Sequence, residues 1–198
     1  GLCIRNTSIP WFIPIKHIKK IQTFFEPNEK NLNYIYSKYK KYLDKNTCSI
    51  HYRTYNEDFK TDHNKKQLLS KSSSLKKVIE INLKKVDYFL VFSDDMDYTK
   101  KFIKHNFLDD KFIFINERDY IDLWIISLCK KNIGFYESSF FICSALLNKN
   151  KNKEVHAIKR FNLNPKKIDP IKKSTNDYNF NNIKKEYKWI FYNWKFDN

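Results

Sequence analysis

Val86-Asp87-Tyr88-Phe89-Leu90-Val91-Phe92 is an apolar, aromatic and β-branched run that stops abruptly at Ser93-Asp94-Asp95. A short apolar run bounded by polar turn residues reads as a buried parallel strand, with the Ser-Asp-Asp turn at its carboxyl end. Open α/β sheets hold nucleotides and sugars in crevices outside such ends. Working outward, residues 84–148 read as strand, acidic turn, helix, strand, helix and Ser-Ser turn in quick succession.

Upstream, residues 47–53 predict a strand that ends in a polar turn over 54–62, and residues 74–83 predict a helix whose Ser-rich start suits N-capping. Downstream, the pattern predicts a helix over 96–105 and a strand over 111–115 that ends at Asn116-Glu117. An amphipathic helix over 119–129 opens with acids, as the helix dipole favours. A strand over 132–136, a helix over 139–147 and a fifth strand over 154–158 complete the series. Two packing helices precede it. Ile15, Ile18, Ile21 and Phe24 recur at helical spacing before Pro27, and Leu32, Ile35, Tyr36, Tyr39 and Leu43 mark one face of 28–43. Strands alternating with helices predict an α/β fold, a doubly wound parallel sheet of Rossmann type. The expected organisation is a helical lead-in over 1–46, an α/β domain over 47–162, and a polar linker with an aromatic C-terminal helix or docked tail over 163–198.

With 41% apolar and 17% aromatic residues in 198, the chain can bury one core and is not disordered. Its formal charge of +16 comes mostly from Lys beside heavy use of Asn, Ile, Tyr and Phe, the usage of an AT-rich coding sequence. Arg, which reads phosphates and guanine bidentately, occurs only at Arg5, Arg53, Arg118 and Arg160, so specific nucleic-acid recognition is not expected. Two glycines exclude a Gly-rich phosphate loop of the Walker or dinucleotide kind. Cys3, Cys48, Cys129 and Cys143 form no metal or disulfide spacing and read as reduced thiols, which together with a start unlike a signal peptide implies a cytoplasmic setting. No apolar run approaches the roughly 20 residues of a membrane span.

Three polar turns follow three of the predicted strands: His51-Tyr52-Arg53, Ser93-Asp94-Asp95 and Ser138-Ser139-Phe140. If those strands are parallel neighbours, all three turns line one edge. A cation, an acidic pair and a hydroxyl-capped helix start suit a nucleoside diphosphate. Arg53 would pair the diphosphate, the amides near Ser139 would receive it, and an Asp would accept hydrogen bonds from a base. Guanine offers two adjacent donors that one carboxylate can bridge. Each turn also has a plainer reading: a strand-end pair for His51 and Arg53, and N-capping for Asp94, Asp95 and the serines.

Cys48-Ser49-Ile50-His51-Tyr52-Arg53, then Phe92-Ser93-Asp94-Asp95, then Asp122-Leu123-Trp124-Ile125-Ile126-Ser127-Leu128-Cys129-Lys130-Lys131-Asn132-Ile133, then Ser138-Ser139-Phe140 and Ala145-Leu146-Leu147-Asn148 together resemble the alpha-1,2-fucosyltransferase family, glycosyltransferase family eleven. The family reads approximately H-x-R-R-G-D-Y, F-S-D-D, D-L-x-L-M-S-x-C-K-H-x-I and N-S-S/T-F-S-W-W-G-A-W-L-N in that order, and the likeness covers roughly residues 1–162. Thr54 and Glu137 stand where the family has Arg and Asn, and the family's N-terminal lobe is missing.

The resemblance implies the donor-binding lobe of a GT-B enzyme that moves L-fucose from GDP-fucose to a glycan acceptor with inversion and without a metal. Under it, His51, Arg53, Asp94, Asp95, Ser138, Ser139 and Phe140 bind the donor, with Arg53 on the β-phosphate and His51 against the nucleotide. A missing lobe would come from elsewhere in a longer chain or from a partner. Glu57, Asp58 and Asp62 are the candidate bases. Two other readings stay open. Asp95-Met96-Asp97 is a D-x-D, the pattern with which other transferases hold a metal. A basic non-catalytic module could bind a protein partner, or stack RNA bases on Tyr34, Tyr36, Tyr39 and Tyr42.

Overall fold

The computed structural model describes residues 15–54, 62–108, 110–135, 138–158 and 194–195, with side chains for all but 15–18, 62–71 and 194–195. The chain runs α1 (Ile15–Phe24), α2 (Glu29–Leu43), β1 (Thr47–Tyr52), α3 (Asp62–Leu83), β2 (Tyr88–Ser93), α4 (Met96–Asn106), β3 (Phe112–Phe114), α5 (Asp119–Leu128), β4 (Lys131–Phe135), α6 (Ser139–Leu147), β5 (Glu154–Ile158) and β6 (Trp194–Lys195). The strands form one sheet in the order β3-β2-β1-β4-β5-β6, and every neighbouring pair is parallel. This is the doubly wound arrangement, and the direction of winding reverses between β1 and β4.

Period-two alternation sorts the strand side chains between two cores. Cys48, Ile50, Tyr52, Phe89, Val91, Ile133 and Phe135 meet Leu75, Val78 and Ile79 of α3 and Ile103 of α4. On the opposite face Leu90 and Phe92 meet Ile35, Tyr39 and Leu43 of α2 and Ile121, Ile125 and Ile126 of α5. With helices on both sides, all six residues of β1 are buried. Helix α2 is therefore a layer of the same core, and β6 adds Trp194–Lys195 to the edge of the sheet beside β5.

The helix expected over 74–83 begins twelve residues earlier, at Asp62, so Ser72 and Ser74 lie within the helix and do not cap it. Both are buried, and the Ser72 hydroxyl bonds the phenol of fully buried Tyr52 at 2.5 Å. Tertiary partners outweighed local capping preference. Strand β2 starts two residues later than expected, at Tyr88, because Asp87 turns aside to accept the amide of Asn46.

Helix α6 is fixed at both ends. At its C-terminus buried Lys153 donates to the carbonyls of Ala145 (2.9 Å) and Asn148 (2.7 Å), groups that a helix end leaves unpaired and whose dipole favours a cation. Burial lowers the Lys153 pKa to about 8. Asn148 and Asn132 join in a buried network: Asn148 donates to the Cys129 carbonyl and to Asn132 Oδ1, and Asn132 donates to Ser49 Oγ and the Ile126 carbonyl.

Nearer its N-terminus, α6 lays Phe141 directly on Gly134. A Cβ at Gly134 would stand 2.4 Å from the Phe141 ring, so only glycine admits this approach. We expect Gly134→Ala to cost about 1–3 kcal/mol in urea unfolding by overpacking. Phe141→Leu should cost measurably less in the Gly134→Ala background than alone, a coupling that a double-mutant cycle reads directly.

Candidate functional site

The ends of β1, β2 and β4 are adjacent, so the three polar turns share the carboxyl edge of the sheet. Ser93 Oγ donates to the Tyr52 carbonyl (2.8 Å) and accepts from the Asp95 amide (3.1 Å), which joins the ends of β1 and β2. One residue on, Asp94 takes two contacts from the end of β1. Its Oδ1 accepts the Thr54 amide at 2.6 Å and its Oδ2 pairs with Arg53 Nη1 at 3.1 Å. The Asp94 side chain is 16% exposed and that of Arg53 is 37% exposed, so the pair lies at a rim where the guanidinium still meets solvent. Thr54 is buried, and among the described residues its Oγ1 has no hydrogen-bond partner.

His51 lies one pleat deeper on the same face as Arg53. It is 6% exposed. Its ring stacks on Phe140, with centroids 5.1 Å apart and planes inclined by 27°. Its Nδ1 stands 3.5 Å from Ser138 Oγ, which also caps α6 by accepting the Phe141 amide at 3.3 Å. With its oxygen engaged by that amide, the Ser138 hydroxyl has its proton to offer a neutral imidazole. Burial lowers the His51 pKa from 6.5 to about 4; Asp94 opposes the shift and Arg53 adds to it. Ser139 is exposed in the first turn of α6.

Asp95 is the N-cap of α4, its Oδ1 accepting the Tyr98 amide at 2.9 Å. Beside it a cleft of about 690 Å³ opens between the start of α4 and the end of β3, lined by Asp94, Asp95, Asp97, Lys100, Phe114 and Asn116. Among the described residues no group of three or more His, Cys, Asp or Glu is arranged to hold a metal. No helix among them is long and apolar enough to cross a membrane. Glu57 and Asp58 lie outside the described residues, as does Glu137, and Asp62 opens α3.

Two acidic residues beyond this site have roles that the sequence reading left unassigned. Glu117, after β3, accepts hydrogen bonds from Tyr34, Lys38 and Tyr39 and so clamps α2 to the β3–α5 loop. Burial alone would raise its pKa, but these three donors hold it below the usual value. Of the four tyrosines named for base stacking, Tyr39 is buried with its hydroxyl on Glu117 and Tyr42 packs edge-on to Tyr88, whereas Tyr34, also bonded to Glu117, and Tyr36 are exposed. In α5, Asp122 has a buried Oδ1 without a partner. Burial raises its pKa to about 7, Glu117 and Asp119 add as like charges, and the Glu117 amide opposes. The sequence shows Asp122 as one of two acids in the first turn of α5, and its burial becomes visible only in the fold.

No family model and no curated protein matches this chain. Among solved structures, the alpha-1,6-fucosyltransferase NodZ, in a crystal soaked with GDP-fucose, is similar at a TM-score of 0.39 and 12% identity, over 73% of this chain and 61% of that one. The chain therefore spans less than two thirds of that structure's length.

Because the fold holds His51 neutral, the unfolded chain binds a proton between pH 6.5 and 4 that the folded chain refuses. Stability should therefore fall as pH drops through this window, by on the order of 3 kcal/mol in total from this group. Urea midpoints for the protein and for His51→Gln should converge toward pH 4 and separate toward pH 7. Parallel pH profiles would show that His51 titrates normally.

Proposed function

We propose that this chain is the donor-binding domain of a glycosyltransferase that moves L-fucose from GDP-fucose to a sugar hydroxyl with inversion, the alpha-1,2-fucosyltransferase type its motifs resemble. The observation that supports this reading is that the Arg53–Asp94 pair after β1 and the Ser138-capped start of α6 after β4 lie on the same edge of the sheet, at the point where it reverses its winding. That crevice is where doubly wound sheets take nucleotides.

The guanidinium at the rim and the first amides of α6 carry positive potential toward one spot, where they stabilise a leaving diphosphate without a metal. A guanidinium matches phosphate oxygens bidentately, which is the contact proposed for Arg53 with the β-phosphate. At the end of β2, Asp94 holds the Arg53 guanidinium and the Thr54 amide, and Asp95 is the carboxylate we assign to accept hydrogen bonds from guanine. Removing the acceptor's proton needs a base, which we assign to the segment after the H-x-R turn, with Glu57, Asp58 and Asp62 as the candidates. The glycan acceptor and the second lobe of the cleft come from outside these residues.

Calorimetric titration with GDP, GDP-fucose, UDP and ADP in the presence of a chelator tests this reading. GDP and GDP-fucose should bind while UDP and ADP do not. Arg53→Ala should weaken GDP roughly tenfold or more, the worth of one charge-assisted hydrogen bond. Absence of guanine-nucleotide binding would overturn the proposal, and binding that appears only with manganese would favour the D-x-D at Asp95 and Asp97.

A further inference from the structure

We infer that His51 is a positioning residue: lying beneath the crevice, it holds the first turn of α6 in register with Arg53 and does not touch the donor. This rests on the donor-site reading above, and it reverses the contact role that the H-x-R motif suggests for this histidine.

Three observations converge on it. The ring is 6% exposed and one of its faces stacks on Phe140, which leaves little imidazole for a ligand to meet. Its Nδ1 faces Ser138, the residue that sets where α6 begins, while Arg53 stands two residues on along the same strand. The chain thus links guanidinium and helix start through one side chain, so a shift of the imidazole moves the α6 amides relative to Arg53. Gly134 and Phe141 fix how closely α6 approaches the sheet, and Lys153 and Asn148 hold its far end, so the remaining freedom lies in the orientation of its first turn. His51 removes that freedom by engaging two positions, Ser138 and Phe140, that flank Ser139 at the helix start. Its electrostatic neighbours are Asp94 and Arg53, both on the rim side.

A positioning role and a contact role separate by ligand. The affinities of GDP, inorganic pyrophosphate and guanosine are measured at pH 7.5 for the protein, His51→Leu and His51→Gln, with thermal midpoints recorded alongside. His51→Leu should weaken GDP and pyrophosphate by the same factor, roughly fivefold to tenfold, and leave guanosine unchanged. His51→Gln keeps an acceptor for the Ser138 hydroxyl and should recover part of the loss.

Equal weakening of guanosine would show that His51 touches the nucleoside and would overturn the inference. So would a lowered thermal midpoint with all three affinities intact, which is a purely structural role. If the unmutated protein binds none of the three ligands, the donor-site reading itself fails and takes this inference with it. That result is distinct from the other two, because both require binding by the unmutated protein.

Discussion

The seating of Phe141 on Gly134 is the constraint from which the rest of this edge of the molecule follows. Removing the side chain at one strand position lets a helix approach the sheet closely enough for its first turn to face the end of β1. Once α6 is there, His51 has a ring to stack on and a hydroxyl to meet. At the far end Lys153 and Asn148 hold the same helix through carbonyls that would otherwise be unpaired. The helix is located by packing at one end and by hydrogen bonds at the other.

The charges divide along the same geometry. His51, one pleat below the rim, is kept neutral by burial, whereas Arg53 lies at the rim beside a carboxylate. Asp94 has two effects at once. It neutralises part of the guanidinium's field, and it fixes that guanidinium and the Thr54 amide in place. An arginine held in advance loses less conformational freedom when an anion arrives.

Much of this was legible in the sequence because the strands are short, apolar and bounded by polar turns. The fifth strand, the start of α4 and both ends of α6 fall where composition puts them. The strand order explains why three turns far apart in sequence meet, since β1 lies between β2 and β4. What could not be read were features that depend on partners distant in sequence. Ser72 looks like a cap until Tyr52 is seen against it, and Glu117 looks like a turn residue until α2 supplies three donors. The two-residue strand β6 carries too short a pattern to announce itself. The burial of His51 belongs to the same class, because a histidine two residues before an arginine looks the same on paper whether its ring faces a ligand or a phenylalanine.

The account's central claim is that the crevice between β1 and α6 holds the diphosphate of a guanine nucleotide. A crystal structure of the protein grown with GDP tests it most directly. The account predicts that the β-phosphate lies between the Arg53 guanidinium and the first amides of α6, with His51 still stacked on Phe140 beneath it. GDP ordered anywhere else on the sheet edge, out of reach of the Arg53 guanidinium, would contradict it.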